Sequence, residues 1–126
     1  IMANTFKVVT FAAEPNAAGT PYVMYTAPPS PATTTVVLGL VLSNIHTASV
    51  NATVNLVSDT GNRGGATGSL ITNGTSVIVK NAPVPVGGSL ELMAGNKVVL
   101  EPTDQITIDC SVADKLSGTL SIMEIT

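Results

Sequence analysis

The chain has 126 residues, of which 44% are apolar and only 10% are charged, against about 25% charged in an ordinary soluble domain. Its five basic residues, Lys7, Arg63, Lys80, Lys97 and Lys115, are spread thinly within a net charge of −3, which excludes the clustered basic face that nucleic-acid binding needs. No window approaches the apolar length of a membrane span, and the single cysteine, Cys110, excludes an internal disulfide framework.

Such a length is one domain's worth and buries roughly two-thirds of its unfolded surface. Aromatics are confined to Phe6, Phe11, Tyr22 and Tyr25, so Val, Ile, Leu, Ala and Thr must build the core, and most of these suit pleated surfaces. The opening Ile-Met-Ala-Asn-Thr shows no charged n-region followed by an apolar h-region, so no signal peptide is expected. Met2-Ala3 reads as the start, with Ile1 extraneous.

Residues 5–12 (TFKVVTFA) form the first expected strand, with Phe6, Val8 and Thr10 opposing Lys7, Val9 and Phe11. Residues 14–19 are a turn-rich connection, and 22–26 a short strand. The Pro-rich stretch 27–32, containing Pro28, Pro29 and Pro31, breaks the ladder because proline has no donor. Residues 33–43 are a long uncharged β-branched and aliphatic run suited to a central strand, with Gly39 marking a bulge or close backbone approach. Residues 50–58 alternate cleanly and should turn Val50, Ala52, Val54 and Leu56 inward. A Gly-rich loop, 59–69 (DTGNRGGATGS), precedes a strand at 76–80.

Four apolar runs follow: 90–93, 98–100, 106–110 and 120–125. Gly95-Asn96, Pro102-Thr103-Asp104 and residues 114–118 separate them. Ile106, Ile108 and Cys110 share one side, and Leu120, Ile122 and Glu124 oppose Ser121, Met123 and Ile125. This segment reads as four consecutive antiparallel strands. No helical periodicity exceeds two turns. The expected architecture is all-β: a single antiparallel β-sandwich over residues 1–126, jelly-roll-like, of about nine short strands, with residues 1–4 as a tail.

The Pro-Val-Gly-Gly-Ser-Leu-Glu-Leu entry at 85–92, the Lys-Val-Val-Leu-Glu-Pro-Thr-Asp-Gln-Ile stretch at 97–106 and the closing Leu-Ser-Ile-Met-Glu-Ile resemble a pattern of small all-β virion structural proteins of tailed bacteriophages. Residues 33–40, Ser43-Asn44 and the 50–57 strand fit the same pattern, so the resemblance covers about residues 22–126. It implies a particle component, of head-decoration or of neck, tail or baseplate accessory type.

Candidate chemistry is sparse. The loop around Gly61–Gly68 lacks the Gly-Lys-Ser/Thr ending of a phosphate cradle. His46 has no second histidine to work with, and Cys110 sits on an apolar face as a buried thiol. Asp59, Asp104, Asp109, Asp114 and Glu124 have no EF-hand spacing, and turn-forming aspartates are the expected reading, Asp104 as the residue that starts the 105–110 strand. Asn51-Ala-Thr53 and Asn73-Gly-Thr75 match the glycosylation acceptor by composition alone. No catalytic, cofactor or metal site is therefore expected.

Three classes compete. An enzyme needs a nucleophile with a base, a metal cluster or a cofactor loop. A carbohydrate-binding or adhesin-type module needs exposed aromatics, of which this chain has few. A structural protein needs a β-scaffold, extended segments and weakly charged faces, which it has. The expectation is a virion component that assembles with itself as a homotrimer or ring and with a major capsid, neck or tail protein, with no nucleic acid and no membrane as partners. Arg63, Asn62, Pro28, Pro29 and Pro31 are the interface candidates.

Overall fold

The computed structural model describes residues 4–29, 33–61, 72–93 and 97–126. Among these residues nine strands form: β1 (Asn4–Glu14), β2 (Tyr22–Thr26), β3 (Thr34–Asn44), β4 (Val50–Val57), β5 (Thr75–Val84), β6 (Ser89–Leu92), β7 (Val98–Leu100), β8 (Gln105–Cys110) and β9 (Leu116–Ile125). Each of the nine runs expected from the sequence is a strand. The ends differ: β1 begins at Asn4, expected in a tail, and β9 begins at Leu116, inside an expected turn. β5 runs through Pro83, which an edge strand tolerates because its outward amide needs no partner.

The strands pair as one long hairpin folded over on itself. β1 pairs with β9, β2 with β8, β3 with both β6 and β7, and β4 with β5, all antiparallel. Pairing of β9 with β3 and of β8 with β4 then closes two sheets, β1-β9-β3-β6/β7 and β2-β8-β4-β5. Counting β6 and β7 as one interrupted strand along β3, this is the eight-strand jelly roll. The fold class is the expected one. The chain's last four strands are not a consecutive ladder, however: β6 and β7 lie end to end on β3, β8 crosses to the other sheet and β9 returns. Two faces each need half of the apolar set, and strands that alternate between sheets supply both.

The core lies between the sheets. Val37, Leu40, Leu42, Leu100, Leu116, Leu120 and Ile122 enter from one, and Met24, Val50, Ala52, Val54, Val84, Ile106, Ile108 and Cys110 from the other. β3 is central, and its register shifts between Val37 and Gly39, so the glycine marks a bulge. Phe11 makes an edge contact with Tyr22 at 5.3 Å between ring centroids and lies against Gly118, where a Cβ would come within 2.2 Å of the ring.

Candidate interaction surfaces

Of the expected contact residues, Arg63, Asn62 and Pro31 lie outside the described residues. Pro28 is half-buried and Pro29 exposed. Ala27, expected to leave the ladder, is fully buried and tied by two backbone bonds: its N–H donates to Asp104 O at 2.8 Å, and its carbonyl accepts from Thr103 N–H at 3.0 Å. The stretch is thus anchored at its first residue.

Asp104 starts β8 as expected, but as a buried acceptor. Ser58 Oγ and Thr60 Oγ1 donate to its Oδ1 at 2.9 and 3.0 Å, and Glu101 N–H to its Oδ2 at 3.1 Å. Asn73 Nδ2 donates to Ser58 Oγ at 3.2 Å. These bonds knit the root of the Gly-rich loop to the β7–β8 turn. Beside them opens a cleft of about 410 Å³, lined by Leu56, Ser58, Asn73, Gly74, Ser76, Val99, Glu101 and Asp104. Among the described residues no three His, Cys, Asp or Glu side chains converge as a metal set would. His46 sits in the β3–β4 turn, where its N–H donates to Asn44 Oδ1 at 2.7 Å. Cys110 is buried against the core, and Asp109 Oδ1 accepts from Gly19 N–H and Cys110 N–H at 3.1 and 2.8 Å.

Glu124 follows the alternation of Leu120 and Ile122 onto the inner face and is therefore a carboxylate at the edge of the core. Tyr25, on the opposite sheet, donates to Glu124 Oε2 at 2.6 Å, and Lys7 Nζ lies 2.7 Å from Oε1. The tyrosine's one proton is used there, so at the 3.0 Å contact Thr35 Oγ1 must donate to the phenol. Lys7 and then Tyr25 hold the Glu124 carboxyl below its ordinary range, while burial, and next the Glu124 bond, pushes the Tyr25 phenol up to about 12. The cluster ties the two sheets at one end of the sandwich, and it points Lys7 inward from an edge strand.

That inward lysine leaves Phe6 and Val8 outside, 71% and 64% exposed. Antiparallel register aligns them with neighbours across the sheet. Phe6 pairs with Met123, Met123 with Val36, and Val36 with Val99, a single apolar row four strands wide. On one side of it runs the row Asn4, Ile125, Thr34; on the other, Val8, Ser121, Gly39. The next row is Thr10, Thr119, Val41 and Glu91. No charged side chain projects outward from β1, β9 or β3, because Lys7, Glu14 and Glu124 all pair on the inner side. The other sheet differs: its outer face carries Asn51, Thr53, Asn55 and Asp109 on β4 and β8. Among the described residues one sheet face is thus polar, and the other turns no charge outward from β1, β9 or β3 and carries an apolar row.

No protein-family model matches the chain, and no curated protein matches it in sequence. Solved structures are similar in fold. A chain of the T13 infectious bursal disease virus particle is 11% identical with a TM-score of 0.52, covering 97% of this chain and 31% of that one. One of the infectious bursal disease virus Gx strain is 11% identical at 0.50, covering 95% and 32%. A chain of the Bacillus endospore appendages, disulfide-linked pili, is 18% identical at 0.41, covering 98% and 85%. The chain spans about a third of the length of the viral chains.

Proposed function

We propose that the chain is a non-enzymatic structural protein of a virion, most simply a decoration or cement subunit that stabilises a phage head by bridging capsomers. The observation that carries this reading is the uncharged outer face of the β1–β9–β3 sheet, with Phe6, Val8 and Val99 between 55% and 71% exposed. A monomer keeps contiguous exposed apolar patches small, and larger ones mark contact sites. A cement role uses such a face directly, since every copy adds apolar burial across a seam at roughly 25 cal/mol per Å² before association costs. The jelly roll supports the reading as a scaffold that particle shells also use. A neck or tail accessory role draws on the same features. The carbohydrate-binding alternative loses ground because Phe6 is exposed while Phe11 is buried and both tyrosines are half-buried.

The test is to blot density-gradient-banded particles from a culture that produces the chain. Co-banding at a fixed ratio to the major shell protein is expected. Particles that band without the chain overturn the structural reading.

A further inference from the structure

We propose that the outer face of the β1–β9–β3–β7 sheet packs against the same face of a second copy of this chain. The proposal rests on the structural reading above and names the partner of the surface that carries it.

Charge selects the occupant. A partner with an acidic or basic face would find nothing to pair with on β1, β9 or β3, and its own charges would lose water uncompensated. Charge on this sheet lies at its far margin, with Glu91 on β6 and the exposed Lys97 directly before β7. On β1, β9 and β3 a second copy brings apolar side chains, hydroxyls and the Asn4 amide, with Glu91 at the margin on β6, so no like charges meet at its centre. An isologous contact needs a self-complementary patch. Here Phe6, Met123, Val36, Val99, Val8 and Ile125 gather at one end, and Thr10, Thr119, Ser117 and Ser43 at the other. A two-fold axis lying in the interface along the strands, perpendicular to the rows, sets apolar rows against apolar rows and hydroxyls against hydroxyls.

Area is sufficient. Four strands at about 4.8 Å and some ten residues at about 3.4 Å give a planar footprint of roughly 650 Å². The accessible surface of standing side chains exceeds its projection, which brings each copy near the about 800 Å² of a stable interface. Two such sheets stack about 10 Å apart, as sheets do inside a sandwich. The polar outer face of the other sheet, carrying Asn51, Thr53, Asn55 and Asp109, has no comparable apolar row.

Sedimentation velocity on the full chain over a wide concentration range tests this. Two charge insertions are sterically free. Val8 is 64% exposed, and a Cβ at Gly39 meets no atom within 4 Å. Wild type is expected to sediment as a dimer, or as an even-numbered oligomer built from such dimers. Val8→Glu and Gly39→Glu should weaken self-association at least tenfold, with circular dichroism unchanged, whereas Asn51→Glu on the opposite face should leave it intact. If either insertion perturbs folding, hydrogen exchange on wild type replaces it: amides of β1 should gain protection with concentration. A wild type that is monomeric throughout overturns the proposal, as do insertions without effect or an equal effect of Asn51→Glu. Particle occupancy is read separately. Absence from particles overturns the structural reading while this mass result stands, and presence in particles of a chain that never self-associates overturns the present inference alone.

Discussion

Tyr25 and Glu124 stand 99 residues apart in the chain and on opposite sheets, joined by a 2.6 Å hydrogen bond. The phenol would otherwise be a polar group at the edge of an apolar core, and the carboxylate a buried charge. Each satisfies the other, and Lys7 neutralises the pair.

That arrangement makes stability fall at both ends of the pH scale. Glu124 titrates below its ordinary value of 4.5 when folded, so its contribution is complete above that value and is lost as pH drops through the lower folded value. Tyr25 is raised from 10.0 to about 12, so its contribution is complete below pH 10 and is lost as pH rises through about 12. Urea denaturation across pH should show Lys7→Met reducing the acid-side dependence and Tyr25→Phe reducing the alkaline one. At neutral pH Tyr25→Phe should cost about 1–3 kcal/mol, because Glu124 and Thr35 lose their shared partner.

Gly118 is fixed by contact rather than by backbone conformation. A methyl there would meet the Phe11 ring at 2.2 Å. Gly118→Ala should destabilise by about 1–3 kcal/mol through overpacking. Adding Phe11→Leu should recover part of that loss, seen as a favourable coupling in a double-mutant cycle.

Asp104→Ala removes the acceptor of Ser58, Thr60 and the Glu101 amide together. The expected cost is on the order of 3 kcal/mol, since buried donors are left without partners. Ser58→Ala should cost less, and chemical denaturation separates the two.

Cys110 is 3% exposed. A thiol reagent should label it only at the rate of opening, with labelling accelerated by urea in step with unfolding. Cys110→Ser should cost about 1–3 kcal/mol for a hydroxyl without a partner. Fast labelling in native buffer would contradict the placement.

Alternation, apolar runs and turn residues together mark all nine strands in the sequence, the inward set Val50, Ala52, Val54 and Leu56, the bulge at Gly39 and the burial of Cys110. It also placed Glu124 with Leu120 and Ile122, although not its partners. Which strand lies beside which is set by long-range pairing, so the row Phe6–Met123–Val36–Val99 is invisible until β1, β9, β3 and β7 are assembled. The same holds for Lys7, whose inward turn is the reverse of what polarity suggests for an edge strand beside Phe6 and Val8. Prolines and glycines are legible locally, so loops stand out in a sequence as contact candidates. Pro28 and Pro29 directly follow the anchored Ala27, whereas the apolar row lies on regular strands.

The most direct measurement is a cryo-EM reconstruction of particles from a culture producing the chain. The expected map contains the sandwich at fixed lattice positions, with Phe6, Val8 and Val99 buried in a contact and the Asn51 face towards solvent. A map without the chain, or one in which the Phe6 face is open and the Asn51 face makes the contacts, would contradict it.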